Sequence, residues 1–463
     1  MQSTLDRLVC ELFRTPGGYS KDANAFLRHA ARAHRALLAR AARAGGHQND
    51  SGSLLPRLHA LVERIPCQEL RNRFLVDPTF IEGLHGAAGD SEVLGRWHRQ
   101  IADPSVARIW PVASHGTSQL GNSLLALLLR DDPDWQGEVP LQSDFFGRLR
   151  FPLCHWGLAL SSNAPGCVVS SEELICSLSR HEVRLSPRAR PLDELLVMPR
   201  QEWLRMLVVD DERLDCRRIR WPRGERSLRF QRAAAIPGWR VRYDPVFAPD
   251  ADRHAEMTGG LVTAALNAMA HHSPNLAAEF DAIESAVRGW ELAPGADGTL
   301  QSFSDPTLPR IMGINVPYTA DDQPQISAFF FTWFGHELGH TLSYLIETIL
   351  FVQGQSLTSR HCEFTETIPR YGRAVPVRTL LQIPYTHLYE WVLMIEFLEG
   401  SFSAVPWTIC EDPVAYAEEI RAEIQETFDR IARSVPLSDA GKSVIARLRR
   451  LYADVLARSK QVV

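Results

Sequence analysis

The sequence predicts an α+β protein, mainly helical, in three sections: an N-terminal helical region over residues 1–132, a β-rich middle over 133–248 and a helical C-terminal region over 249–463. Three observations lead there. Ala, Leu and Arg recur at three- and four-residue spacing in the first section, as in AFLRHAARAHRALLARAARAG, which is the period of a helix with one apolar face. Short runs that alternate Arg with apolar residues, broken by Pro and Gly, fill the second, as short strands do. The third contains Ile326 to Val352, ISAFFFTWFGHELGHTLSYLIETILFV, an apolar segment too long for a strand.

Composition narrows the class. A chain of 463 residues exceeds one ordinary core and suggests two or three domains at about 100 to 200 residues each. Hydrophobic residues at 45% and charged residues at 23% are values of a folded globular chain. The net charge of -5 offers no basic field for nucleic acid, although Lys21, Lys442 and Lys460 are the only lysines beside many arginines. The start, MQSTLDRLVCELFRTPGG, alternates charge with apolar residues and lacks the apolar core of a secretory signal. It reads as an amphipathic helix of a cytoplasmic protein. Eight scattered cysteines form no Cys-x-x-Cys pair, which fits reduced thiols better than a disulfide framework.

Taken in order, the helical pattern runs from Ser3 to about Arg130 and is interrupted by the Gly45–Gly52 break. The runs VRLSPR, RRIRWP, SLRFQRA and WRVRYDPVF between Pro133 and Pro249 predict a small sheet or barrel. From Asp250 to Trp290 the helical period returns in two segments split by Ser273-Pro274. Leu308 to Tyr318 is expected as a strand feeding the long apolar helix. A loop-rich stretch from Gln353 to Pro384 follows, then a helix from about Thr386 to Glu399 and two polar helices, Pro413–Arg433 and Asp439–Ser459. The apolar segment is long enough to cross a bilayer. His336, Glu337, His340 and Glu347 interrupt it, however, and no second such segment exists to bundle with it, so no membrane association is expected.

The chemistry lies in His336-Glu337-Leu338-Gly339-His340. Residues four apart share a helix face, so His336 and His340 can place two imidazole nitrogens on one divalent ion. Glu337 sits beside them, where a hydrolase would use it to take a proton from metal-bound water. A chain of this composition would show the pattern by accident roughly 0.04 times. Phe334, Leu338, Leu342 and Leu345 predict a buried helix, while Gly335 and Gly339 leave room for a close approach of backbone or substrate. Such a helix makes the C-terminal region metalloprotease-like (zincin-like).

A third ligand is required. Ile346 stands where a metzincin would carry its third histidine. Glu347 lies about 10 Å further along the helix axis at 1.5 Å per residue, beyond direct reach, and belongs to an outer shell or to solvent. His361, Glu363 and Glu366 occupy a polar loop. His387 and Glu390, one turn apart on an otherwise apolar face of THLYEWVLMIEFLEG, are stronger candidates, and the preference runs His387, Glu390, Glu363.

The order of features from Pro237 to Glu399 resembles a bacterial family of HExxH-containing proteins found in peptide natural-product clusters. The features are PGWRVRYDPVF, SFSDPTLPRIMGINV, FTWFGHELGHTLSYLIETI and RAVPVRTLLQIPYTHLYEWV. The resemblance covers the C-terminal half. Members are Fe(II)- and 2-oxoglutarate-dependent peptide β-hydroxylases that share the metal helix of metalloproteases. It implies iron held by His336, His340 and His387, a peptide or peptide-like substrate with a leader or carrier, and an arginine among Arg370, Arg373 and Arg378 for 2-oxoglutarate. A guanidinium binds a carboxylate with two charge-assisted bonds. Arg378, in the apolar run VPVRTLLQIP, is the foremost of the three as the arginine least readily read as surface charge, the alternative being an arginine that snorkels to solvent or pairs with an acid such as Glu366. The alternatives are a zinc metallopeptidase with Glu337 as general base and a non-enzymatic metal-binding protein.

Overall fold

The protein is described from a computed structural model, and the description takes in residues 4–44, 54–89, 91–101, 120–124, 127, 138–141, 148–150, 152, 156–160, 167–170, 174–178, 181–187, 207–208, 228–232, 234–245, 252–290, 302–316, 326, 329–359, 365–368, 373–400 and 412–459. These residues are mostly helical, with a small mixed sheet among the strands. The expected boundaries near residues 132 and 248, and the expected run Arg217–Pro222, lie outside the described residues. Among those described, no helix is long and apolar enough to cross a membrane.

The chain divides into two compact units: residues 31–99 with 107–233, and residues 1–30, 100–106 and 234–463. The first unit contains the helices Leu54–Arg64, Gln68–Leu75 and Pro78–Gly86. Asp77 caps the last of these, its side chain accepting from Thr79 N at 2.9 Å with Pro78 at the first helical position, the arrangement favoured at helix starts. The same unit holds two antiparallel arrays. Glu138–Leu141, Cys167–Ser170, Leu174–Leu178, His181–Pro187 and Leu207–Val208 make one, and Arg148–Arg150, Trp156–Leu160 and Leu228–Arg232 the other.

The second unit is built around a mixed sheet in the order Ser302–Ser304, Ile311–Asn315, Ala286–Trp290, Arg242–Pro245, Ala234–Ala235. The three inner strands run parallel and the two outer pairings are antiparallel. Ile311–Asn315 is buried at every residue, as a parallel strand covered on both faces should be. Two helices, Asp252–His272 and Pro274–Ile283, connect Arg242–Pro245 to Ala286–Trp290, supplying the crossover that parallel neighbours need.

The motif helix, Thr332–Val352, is buried along nearly its whole length. Its C-terminus is closed by Gly354 at φ 74°. Gly354 N donates to Phe351 O and Gln355 N to Leu350 O, both at 2.9 Å, which is a Schellman closure needing a left-handed residue. Across it lies the facing helix, Val377–Glu399, and on that packs Pro413–Ser434. Asp439–Ser459 and Thr4–Leu12 complete the unit, tied by Ser443 Oγ donating to Asp6 Oδ1 at 2.6 Å and Arg447 Nε to Phe13 O at 2.9 Å.

Two expectations about elements need correction. Ala286–Trp290 is a strand, not the end of a helix. The helix stops at Ile283, and Ser285 N instead donates to Arg310 O at 2.8 Å; pairing with two parallel neighbours outweighs the weak helical period of a segment ending in Gly289-Trp290. The stretch before Pro384 is not loop throughout: the facing helix begins at Val377 and passes through the proline. Pro384 lacks the N–H that would bond Leu380 O, yet Leu380, Leu381 and Ile383 are all buried, and that apolar burial offsets one lost backbone bond.

Candidate metal centre

The motif helix brings His336 and His340 to a ring-centroid separation of 5.0 Å. Both are partly exposed, whereas Glu337 is buried. The rest of the centre comes from the facing helix, admitted by two glycines. A β-carbon on Gly335 would stand 3.3 Å from Tyr389 O, and one on Gly339 would stand 2.8 Å from Thr386 Cα. The room that these glycines leave is taken by the backbone of the facing helix, which brings His387 and Glu390 to the motif. The rings of His336 and His387 are 5.0 Å apart, and donor atoms of His336, His387 and Glu390 lie within 4.8 Å of one another.

Both oxygens of Glu390 are engaged. His336 Nδ1 lies 3.0 Å from Oε2, and the Tyr416 hydroxyl donates to Oε1. Burial alone would push this carboxyl up, but His336, His387 and Tyr416 together hold it down to about 2. The imidazole responds in kind: burial lowers the His336 pKa, and the neighbouring Glu390 carboxylate more than reverses that. On the other ring, His387 Nδ1 is 3.6 Å from Glu423 Oε2, an ion-pair distance longer than a hydrogen bond. The ring of His340 lies nearly parallel to Tyr344, 5.9 Å between centroids.

Glu337 points to the sheet. Ser302 Oγ donates to its Oε1 at 2.7 Å and Ser304 Oγ to its backbone carbonyl at 3.2 Å, while Tyr344 OH donates to Ser304 O at 3.2 Å. Strand Ser302–Ser304 is thereby stitched to the motif helix. Burial raises the Glu337 pKa, partly offset by His336 and Ser302. Its Oε2 accepts no hydrogen bond among the described residues. Glu347 is buried rather than solvated and accepts from Gln382 Nε2 at 2.9 Å, linking the two helices further along.

Of the residues singled out from sequence, His336, Glu337, His340, His387 and Glu390 meet here. Glu363 and Arg370 lie outside the described residues. Arg373 falls in strand Arg373–Pro376 and Arg378 in the first turn of the facing helix, about 13 Å along its axis from His387 at 1.5 Å per residue. The side chains of both arginines are outside the described part. Sequence reasoning missed Tyr416, Glu423 and Ser302. A signal existed for two of them: Tyr416 and Glu423 are seven residues apart, on the face that carries the buried Ile420 and Ile424, an unusual place for a carboxylate without a partner.

The donor set suits a divalent transition ion, since imidazoles with one neighbouring carboxylate are ligands for zinc or non-haem iron. In comparison with known proteins, no family model and no curated protein matches this chain.

Proposed function

We propose that the chain is a metal-dependent enzyme, and specifically an Fe(II)/2-oxoglutarate oxygenase. It would hydroxylate an unactivated C–H bond, the β-carbon of a peptide or peptide-like substrate carried on a leader or carrier, in the reducing cytoplasm. The observation that carries the metal is the setting of His336: the rings of His340 and His387 each lie 5.0 Å from its own, and donor atoms of His387 and Glu390 lie within 4.8 Å of its own. His336, His340 and His387 would hold the ion, which would let dioxygen act as the oxidant with 2-oxoglutarate as the two-electron co-reductant, chemistry that no amino-acid side chain supplies. The choice of iron and 2-oxoglutarate rests on the family resemblance. It is supported by the position of Glu337, which is buried and accepts from Ser302 at one of its two carboxylate oxygens.

A zinc metallopeptidase is the second reading, favoured by the remaining oxygen of Glu337, which could take a proton from metal-bound water. The experiment that separates them is turnover of candidate peptides by protein purified without oxygen, with and without 2-oxoglutarate. Hydroxylated product that requires both 2-oxoglutarate and oxygen supports the oxygenase. Peptide cleavage independent of oxygen supports the peptidase.

A further inference from the structure

The helix Pro413–Ser434 supplies no residue of the motif and none of the three imidazoles, yet it faces the centre with a phenol and a carboxylate. Asp412 fixes its start, accepting from Val414 N at 2.9 Å. Four residues on, the ring of Tyr416 stacks on Phe329 at 4.6 Å and 17°, so the hydroxyl that meets Glu390 is held by a residue just before the motif helix. One further turn pair along, Glu423 is buried and faces His387.

We infer that this helix is the orienting wall of the metal centre: Tyr416 holds Glu390, Glu390 holds Nδ1 of His336, and Glu423 faces Nδ1 of His387, so that both rings present Nε2 to the ion. The inference rests on the metal-centre reading above and goes further, making Glu390 and Glu423 positioning residues rather than ligands. The two nitrogens of an imidazole point to opposite sides of the ring, so a carboxylate at Nδ1 fixes the tautomer and leaves the Nε2 lone pair for a metal. It also makes that nitrogen a stronger donor. Glu390 has both oxygens taken by protein groups, which suits an outer position better than a ligand position. With neutral imidazoles inside and carboxylates outside, the negative charge would sit one shell away from a bound ion.

The test is metal affinity, using Co(II) alone in competition with a chelator and the visible spectrum of bound Co(II). The variants are Tyr416→Phe, Glu423→Gln, Glu423→Ala and Glu390→Gln, compared with His336→Ala. Tyr416→Phe keeps the ring and its stacking, and Glu423→Gln keeps the volume, so each reports on the lost bond or charge in a folded protein. The expected result is one bound ion in every variant except His336→Ala, with affinity weakened ~10- to 100-fold, a shifted Co(II) spectrum, and Glu423→Gln closer to wild type than Glu423→Ala. Wild-type affinity and spectrum in Tyr416→Phe and Glu423→Ala would overturn the inference while leaving the metal centre standing. Complete loss in Glu390→Gln, matching His336→Ala, would overturn it by making Glu390 a ligand. Failure of the wild type to bind Co(II) would remove the metal centre itself.

Discussion

Gly339 and Thr386 touch: a β-carbon on the glycine would lie 2.8 Å from Thr386 Cα, closer than non-bonded carbons approach. Alanine at position 339 must therefore push the motif and facing helices apart. Replacing a helical glycine by alanine ordinarily gains about 0.5 to 1 kcal/mol, but overpacking costs about 1 to 3 kcal/mol. At Gly335 the nearest atom is Tyr389 O at 3.3 Å, so there the two effects roughly cancel. We expect Gly339→Ala to lower both the melting temperature and metal affinity and Gly335→Ala to change either little. Thermal denaturation and metal titration of the two variants check this, and equal behaviour would refute the close approach.

His387 is expected to complete the ligand set, so His387→Ala should lose metal and Glu390→Gln should retain it at reduced affinity. Normal binding by His387→Ala, with loss in Glu390→Ala or Glu363→Ala, would replace the third imidazole by a carboxylate and strengthen the peptidase reading.

Two buried carboxyls predict a pH effect on stability. Burial raises Glu279 to about 7 despite hydrogen bonds from Tyr389 OH at 2.6 Å and Tyr19 N at 2.9 Å. Burial raises Glu284 to about 8, with Thr341 and Arg310 acting against it and Glu337 adding to it. Since both are raised above the ordinary carboxyl value, the folded state binds more protons than the unfolded one. The contribution of these two groups is then full below about 4.5 and is lost as pH rises through 7 to 8. A tenfold change in proton affinity corresponds to about 1.4 kcal/mol, so each ionisation costs roughly 3 to 5 kcal/mol as an upper figure. Melting temperatures at pH 5 and pH 9 should differ by several degrees in the wild type and by less in Glu284→Gln. An unchanged difference would rule out Glu284 as a source.

The two enzyme classes part at Glu337 and Arg378. A peptidase needs its general base, whereas an oxygenase draws reactivity from the bound oxidant. Glu337→Gln should leave measurable hydroxylation. Arg378→Ala should raise the 2-oxoglutarate concentration needed for half-maximal rate at least tenfold. If neither Arg378→Ala, Arg373→Ala nor Arg370→Ala does so, the cosubstrate carboxylate is bound elsewhere.

Much of the centre is legible in the sequence because it is local. His336 and His340 are one helical turn apart, and that spacing reads directly from the chain. His387 and Glu390 are legible as polar residues on an apolar face, though their partner is not. Their place beside His336 depends on a helix crossing set by Gly335 and Gly339, and the sequence shows those glycines without showing what fills the space. Tyr416 and Glu423 carry only the weak signal of sharing a face with Ile420 and Ile424, because on a polar helix a carboxylate looks solvated until a neighbouring helix buries it. In the fold, the strand Ala286–Trp290 and the first turns of the facing helix depart from expectation. In the strand, sheet pairing outweighs a local helical pattern; in the facing helix, apolar burial carries the chain through Pro384.

The most direct test of the central claim is metal content and turnover of protein purified without oxygen, alongside His336→Ala, His340→Ala and His387→Ala. The expected result is one equivalent of iron in the wild type, oxygen consumption that depends on 2-oxoglutarate, and loss of the metal in each variant with the fold retained. A full equivalent of metal in His336→Ala or His340→Ala would contradict the site. Zinc with oxygen-independent peptide cleavage, abolished in Glu337→Gln, would contradict the oxygenase.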